Sequence, residues 1–177
     1  HNTMNSTSNS TDEQLIGDTL KRLKRHFQEG VLTCEVKSGY APSLEDEVRM
    51  LRIINKINSS NDIDLIATCL AAHVTPKKYE SSEKYLDSII NELLPKIKEE
   101  KLSSRVDIFI EEKAFSVIEA SRFLEKVKND FMITAHANQF TSGGLKVGVD
   151  NRAVSVDHLE VITDPEIDYL SKSNTTG

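Results

Sequence analysis

The chain has no apolar run approaching the ~20 consecutive residues that a membrane helix needs, so a helical span is not expected. Its first residues, His1 to Asp12, lack the charged region and apolar core of a signal peptide. Cysteine is scarce, with only Cys34 and Cys69 present. Two thiols, each inside an apolar strand-like run, exclude a disulfide framework and a metal knuckle, and they suit a reducing, cytoplasmic setting. Positive charge is in deficit, with 22 Lys and Arg against 28 Asp and Glu and a net charge of -6. A chain of that sign has no general attraction for phosphate backbones, so nucleic acid is not an expected partner. Neither G-x-G-x-x-G nor a P-loop occurs. Ser38, His73 and Asp157 could be assembled into a Ser-His-Asp set, but no G-x-S-x-G elbow supports it.

What remains has a globular balance, 38% hydrophobic and 28% charged over 177 residues, a length that fits one domain. Helix-forming and strand-forming segments alternate along it. Asp12 to Gln28 has Leu15, Ile16, Leu20, Leu23 and Phe27 at helical spacing, with Thr11 or Asp12 as cap and Gly30 as stop. Val31 to Val36 reads as a strand. Ser43 caps a second helix, and Ile63 to Ala72 is the next strand. The helix over Ser82 to Glu100 carries Pro95, which predicts a kink or a split. Val106 to Ile110 is a strand, and Ser116 opens a helix whose buried side is read as Ile118, Phe123, Leu124 and Val127. Phe131 to Ala135 and Ala153 to Val156 are short strands, with a glycine-containing segment, Ser142 to Gly148, between them in which Gly143–Gly144 reads as a turn. Asp164 and Pro165 begin a last helix.

This alternation implies βαβ units around a parallel sheet, in a doubly wound fold or a (β/α)8 barrel. Polar residues gather after each strand: Lys37 to Tyr40, His73, Glu111 with Glu112, His136 to Gln139, and Asp157 with His158. In a barrel these strand ends converge on one mouth, where barrel enzymes place their chemistry. Histidines at three strand ends suggest metal ligands, although a catalytic zinc site needs about three protein ligands. Of Glu111 and Glu112, at most one faces the mouth, because adjacent strand residues point to opposite faces. The basic run Lys21, Arg22, Lys24 and Arg25 reads as a solvated helix face.

Five motifs, in order, resemble the imidazolonepropionases. They are Glu35-Val-Lys-Ser-Gly-Tyr40 with the Glu45–Arg52 helix after it, Leu70-Ala-Ala-His73-Val-Thr-Pro76, Asp107-Ile-Phe109 with Glu111, His136-Ala-Asn-Gln139, and Ser155-Val-Asp157-His158-Leu159. The resemblance implies a section of a (β/α)8 barrel of the metal-dependent amidohydrolase type, about strands 2 to 6. It makes residues 1–177 a partial catalytic domain, expected to be truncated at both ends. It implies hydrolysis of 4-imidazolone-5-propanoate to N-formimidoyl-L-glutamate with zinc or iron. His136 is then a metal ligand, Tyr40 and His73 contact substrate, Gln139 lies near substrate and attacking water, and His158 handles that water. The partners implied are a small-molecule substrate and, for the full-length form, a homodimer. The family's H-x-H metal pair and its propanoate-binding arginine are absent from these residues. The chain departs from the pattern at Ala41, Ala71 and Lys78. Two other readings stay open: a catalytically silent α/β binding module, and another cyclic-amide hydrolase of the superfamily.

Overall fold

In this computed structural model residues 7–39, 43–59 and 62–177 are described. The alternation resolves into strands β1 (Thr33–Lys37), β2 (Asp64–Ala72), β3 (Arg105–Ile110), β4 (Met132–Ala137) and β5 (Ser155–His158). They pair in parallel, in the spatial order β1-β2-β3-β4-β5. A doubly wound sheet reverses direction at a switch point. Here sequence order and spatial order coincide among the described residues, as they do around a barrel. The chain is a section of a (β/α) barrel.

Helix α1 (Asp12–Gln28) precedes β1 and begins at a capping box between Thr11 and Gln14. The crossovers are α2 (Leu44–Asn58), then α3 (Ser82–Ser88) continued by a π-turn at Ile89–Leu93 and by α4 (Leu94–Glu99), then α5 (Val117–Val127) and α6 (Gly144–Asp150), with α7 (Asp164–Ser171) after β5. The split expected at Pro95 is that π-turn, in which the N–H of Leu94 reaches back to the carbonyl of Ile89. The wider turn accommodates a ring that has no N–H and would clash with a regular helix.

The helices cover one face of the sheet. Cys69, Val106, Ile108, Ile110, Ile133, Ala135, Ala137 and Val156 enter that core with Leu51, Ile57, Ile89, Phe115 and Phe123. Residues on the opposite face are largely polar. By alternation and register the polar residues of that face include Glu35, Lys37, Thr68, Arg105, Asp107, Thr134, His136 and Asp157, and the apolar Ile66, Phe109 and Met132 share it.

Several local expectations are corrected. Ile118 is 63% exposed, and the buried side of α5 is Ala120, Phe123, Leu124 and Val127. Those four share one helical stripe at i, i+3, i+4 and i+7, and Ile118 lies almost opposite it. Phe27 is 43% exposed, and Leu23 alone of the α1 stripe is fully buried. Cys34 is only half-buried, unlike Cys69. Gly143–Gly144, read as a turn, instead opens a helix. Gly143, at φ +101, caps α6, and a Cβ on Gly144 or Gly148 would come within 2.8 Å of Ala137 or 2.7 Å of Val156. Glycine there lets a short helix lie directly on β4 and β5, and low helix propensity hides it in the sequence. No described helix is long and apolar enough to cross a membrane.

Candidate active site

The C-terminal ends of the strands meet where the sequence placed its polar clusters. His136 lies inside β4 rather than after it, opposite Phe109 on β3 and Asp157 on β5. His158 closes β5 and pairs with Ala137, a residue of the helix-facing side. Strict alternation would turn its ring away from His136. Instead His158 and Leu159 both take left-handed backbone, at φ 81 and 64, and the two imidazole centroids stand 5.2 Å apart. Consecutive non-glycine residues in that region cost energy, and such strain gathers at functional sites. The Nδ1 of His158 lies 3.3 Å from Glu160 Oε1.

His73 reaches the same place by another irregularity. Cys69 pairs with Val106 but Ala72 pairs with Ile108, so β2 carries one extra residue there. That bulge re-aims the strand end. The His73 ring stacks on Phe109 at 5.3 Å, and Phe109 is 6.3 Å from the ring of His158. Burial first, then the nearby His136 and His158, lower the pKa of His73, while Asp107 opposes them. Tyr40 lies outside the described residues.

Gln139 follows β4 in a segment gripped by a buried carboxylate. Glu111 Oε1 accepts from the backbone N–H of Gln139, Phe140 and Thr141 at 3.0, 2.8 and 3.2 Å, and Oε2 accepts from the Thr141 hydroxyl at 2.6 Å. Burial alone would raise the Glu111 pKa, but these hydrogen bonds outweigh it and hold the carboxyl below its ordinary range. Glu112 is exposed. Glu166 grips the same loop from α7, accepting from Asn138 Nδ2 at 2.8 Å and from Gly143 N–H at 3.2 Å. Gln139 is thereby carried on a fixed loop, and a cleft of about 370 Å³ opens beside it between Phe109, Glu111, Lys113 and Phe140. A larger groove, about 520 Å³, lies at the other end of the sheet against Leu20, Phe27 and Ile63, away from these side chains.

Beneath the histidines runs an ion network centred on Lys37 and Asp107. Asp107 is fully buried, and its Oδ1 lies 2.9 Å from His136 Nδ1 while Oδ2 accepts from Lys37 Nζ. Lys37 also lies 3.4 Å from Glu35 Oε2 and 3.6 Å from Asp157 Oδ2. Burial alone would raise the pKa of Asp107, but His136 and Lys37 hold it down. Burial alone would lower that of Lys37, but Asp107, Glu35 and Asp157 hold it up. One signal could have exposed the pair: a carboxylate inside the apolar run Val106 to Ile110 is tolerable only with a partner. The Ser38, His73 and Asp157 set is not assembled. Ser38 is buried with its hydroxyl on the backbone, donating to Thr68 O and accepting from Leu70 N–H.

Among the described residues no three His, Cys, Asp or Glu side chains form a metal cage. What is present fits one corner of a metal site. His136 has one ring nitrogen against a buried carboxylate, and its Nε2 stands 3.7 Å from Asp157 Oδ2.

No family profile matches the chain. Curated relatives do. The chain is 42% identical over 178 residues to the imidazolonepropionase of Thermoanaerobacter pseudethanolicus, 99% of this chain and 43% of the relative. The chain belongs to the imidazolonepropionase family. The imidazolonepropionase of Caldanaerobacter subterraneus subsp. tengcongensis is 39% identical over 100% of this chain and 43% of its own length. That of Christiangramia forsetii is 38% identical over 98% and 43%. The chain thus spans less than half the length of the imidazolonepropionases it matches.

Proposed function

We propose that the protein hydrolyses the cyclic amide 4-imidazolone-5-propanoate to N-formimidoyl-L-glutamate, a step of histidine breakdown, and that this chain supplies part of the active site. Beyond the relatives' names, one observation carries the reading. His136 sits at a strand end with one ring nitrogen against buried Asp107, the other 3.7 Å from Asp157 Oδ2, and its ring centroid 5.2 Å from that of His158. In this reading His136 Nε2 is one of about four ligands of a zinc or iron ion. When bound, such an ion lowers the pKa of water toward ~7 and polarises a carbonyl.

The remaining work falls to this chain's polar side chains. His158 accepts the proton of the attacking water and passes it to the ring nitrogen that leaves, with Glu160 orienting its Nδ1. Gln139, on the loop gripped by Glu111, orients the water through its amide. Tyr40 and His73 donate hydrogen bonds to the substrate's carboxylate or ring carbonyl. The free thiols of Cys34 and Cys69 support placement in the cytoplasm.

Two substitutions in the full-length protein test this division. His136→Ala is expected to abolish tight metal binding together with turnover. His158→Ala is expected to retain most of the metal while turnover falls by about 10²–10⁴-fold, the range for a lost acid–base group. Metal analysis of the purified variants beside steady-state kinetics separates the two, and equal metal loss in both rejects the assignment. A protein that binds the imidazolone without metal or turnover would instead be a silent binding module.

A further inference from the structure

Both oxygens of Asp107 are occupied, one by His136 Nδ1 and one by Lys37 Nζ, and the three side chains come from three strands, β3, β4 and, across β2, β1. We infer that Lys37 and Asp107 are positioning residues that fix the tautomer of His136, so that Nε2 carries the free lone pair. A carboxylate has no proton to give, so the hydrogen in the 2.9 Å contact belongs to Nδ1. A neutral imidazole with hydrogen on Nδ1 has its lone pair on Nε2. Asp157 Oδ2 stands 3.7 Å from Nε2, too far to accept a hydrogen bond that would hold the hydrogen on Nε2 instead. Lys37 has the second task. An ammonium donates only, so it always claims an oxygen of residue 107 and dictates which way that group is turned.

That division predicts a rescue that a merely structural role would not produce. In Asp107→Asn the amide oxygen stays with Lys37 and the NH2 turns to His136. Nδ1 must then accept, the ring hydrogen moves to Nε2, and the lone pair is lost from the binding side. In the double variant Lys37→Met/Asp107→Asn nothing holds the amide oxygen, which rotates back to accept from Nδ1–H. Two damaging substitutions would therefore compensate each other.

The inference rests on His136 as a metal ligand, and the test keeps the two separable. Full-length protein is stripped of metal by chelation, checked by thermal melt, and titrated with zinc(II) against a chelating dye. The imidazole nitrogens of His136 are followed in ¹⁵N spectra of the metal-free forms. Asp107→Asn is expected to lose about 10- to 100-fold in zinc affinity, as for other partners of ligating histidines, and to carry the hydrogen on Nε2. The double variant is expected to recover about tenfold of that loss, with the hydrogen back on Nδ1. Unchanged affinity in Asp107→Asn overturns the inference. So does a double variant that binds no better than Asp107→Asn. If Asp107→Asn does not fold, the native spectrum decides, because hydrogen on Nε2 there is fatal to the idea. Full zinc retention by His136→Ala would sink the ligand assignment while leaving the tautomer result to be judged by its own spectrum.

Discussion

Buried Thr134 faces the same side of the sheet as Asp107 and pairs with it across β3 and β4, yet among the described residues its Oγ1 has no hydrogen-bond partner. A buried hydroxyl without a partner loses its hydration for no return, and an isosteric methyl does not. Thr134→Val is expected to stabilise the protein by about 1 kcal/mol, read as a higher midpoint in denaturant with an unchanged slope. A lower midpoint would mean that the hydroxyl is satisfied in solution. His73 belongs at this scale too. Its ring lies flat on Phe109, so removing it exposes an aromatic face as well as deleting a donor. In the full-length protein His73→Ala and Tyr40→Phe are each expected to lower kcat/KM about ten- to hundredfold with metal content retained, the effect of one hydrogen bond to a charged group. Normal kinetics with a reduced melting temperature would make both residues structural.

Elements and loops at the mouth are tied down by carboxylates, two of them buried (Glu47 and Glu111) and one half-buried (Glu166). Glu47, on α2, accepts from the N–H of Gly39 at 3.0 Å. Glu111, at the end of β3, holds residues 139–141. Glu166, on α7, holds Asn138 and Gly143. Such acceptors fix backbone without covering it, which leaves the mouth open to a ligand. Glu111→Gln is expected to cost about 1–3 kcal/mol and to speed hydrogen exchange at the amides of Gln139, Phe140 and Thr141. Unchanged exchange there would show that the loop is held by something else. The pH dependence has a definite sign. Because folding lowers the Glu111 pKa below its ordinary 4.5, its contribution is complete above that value. It is lost as pH falls from there through the folded value, so acid should weaken the wild type more than Glu111→Gln.

At the scale of the molecule the sheet is two-sided in an uncommon way. Complete barrels usually fill the interior with layers of branched apolar side chains. Here that side carries Glu35, Lys37, Arg105, Asp107, His136 and Asp157, joined through Lys37 and Glu35. Burial on the helix side supplies the cohesion, and the charged side gains its stability only if it is enclosed with every group paired. The edge at β5 is partly closed by Thr176, which bridges to Ser155 in parallel. Among the described residues β1 has β2 as its only strand neighbour. An unpaired strand edge is a template for association, even though the charged face beside it opposes it. The isolated 177-residue polypeptide is therefore expected to be weakly stable and to self-associate, measured by sedimentation and by binding of a dye for exposed apolar surface. A monomer with a sharp cooperative melt and no dye binding would contradict this.

The sequence by itself determined the succession of helices and strands, their parallel pairing, the split at Pro95 and the presence of His73, His136 and His158 near one end of the sheet. These follow from periods of 2 and 3.6 residues and from caps and breakers, all of which act within a turn or two. Only the tertiary structure decided the rest. Lys37 meets Asp107 across 70 positions of chain, and Asp107 meets His136 across 29. Those contacts depend on strand register, which no local pattern encodes. The bulge in β2 and the left-handed backbone at His158 re-aim two histidines against strict alternation. Helix α6 exists because Gly144 and Gly148 admit Ala137 and Val156 at close range, so packing overrides a propensity that reads as a turn. Local periodicity fixes which residues can reach the mouth. Register and close packing fix which atoms they present there, because a one-residue shift reverses every side chain in a strand.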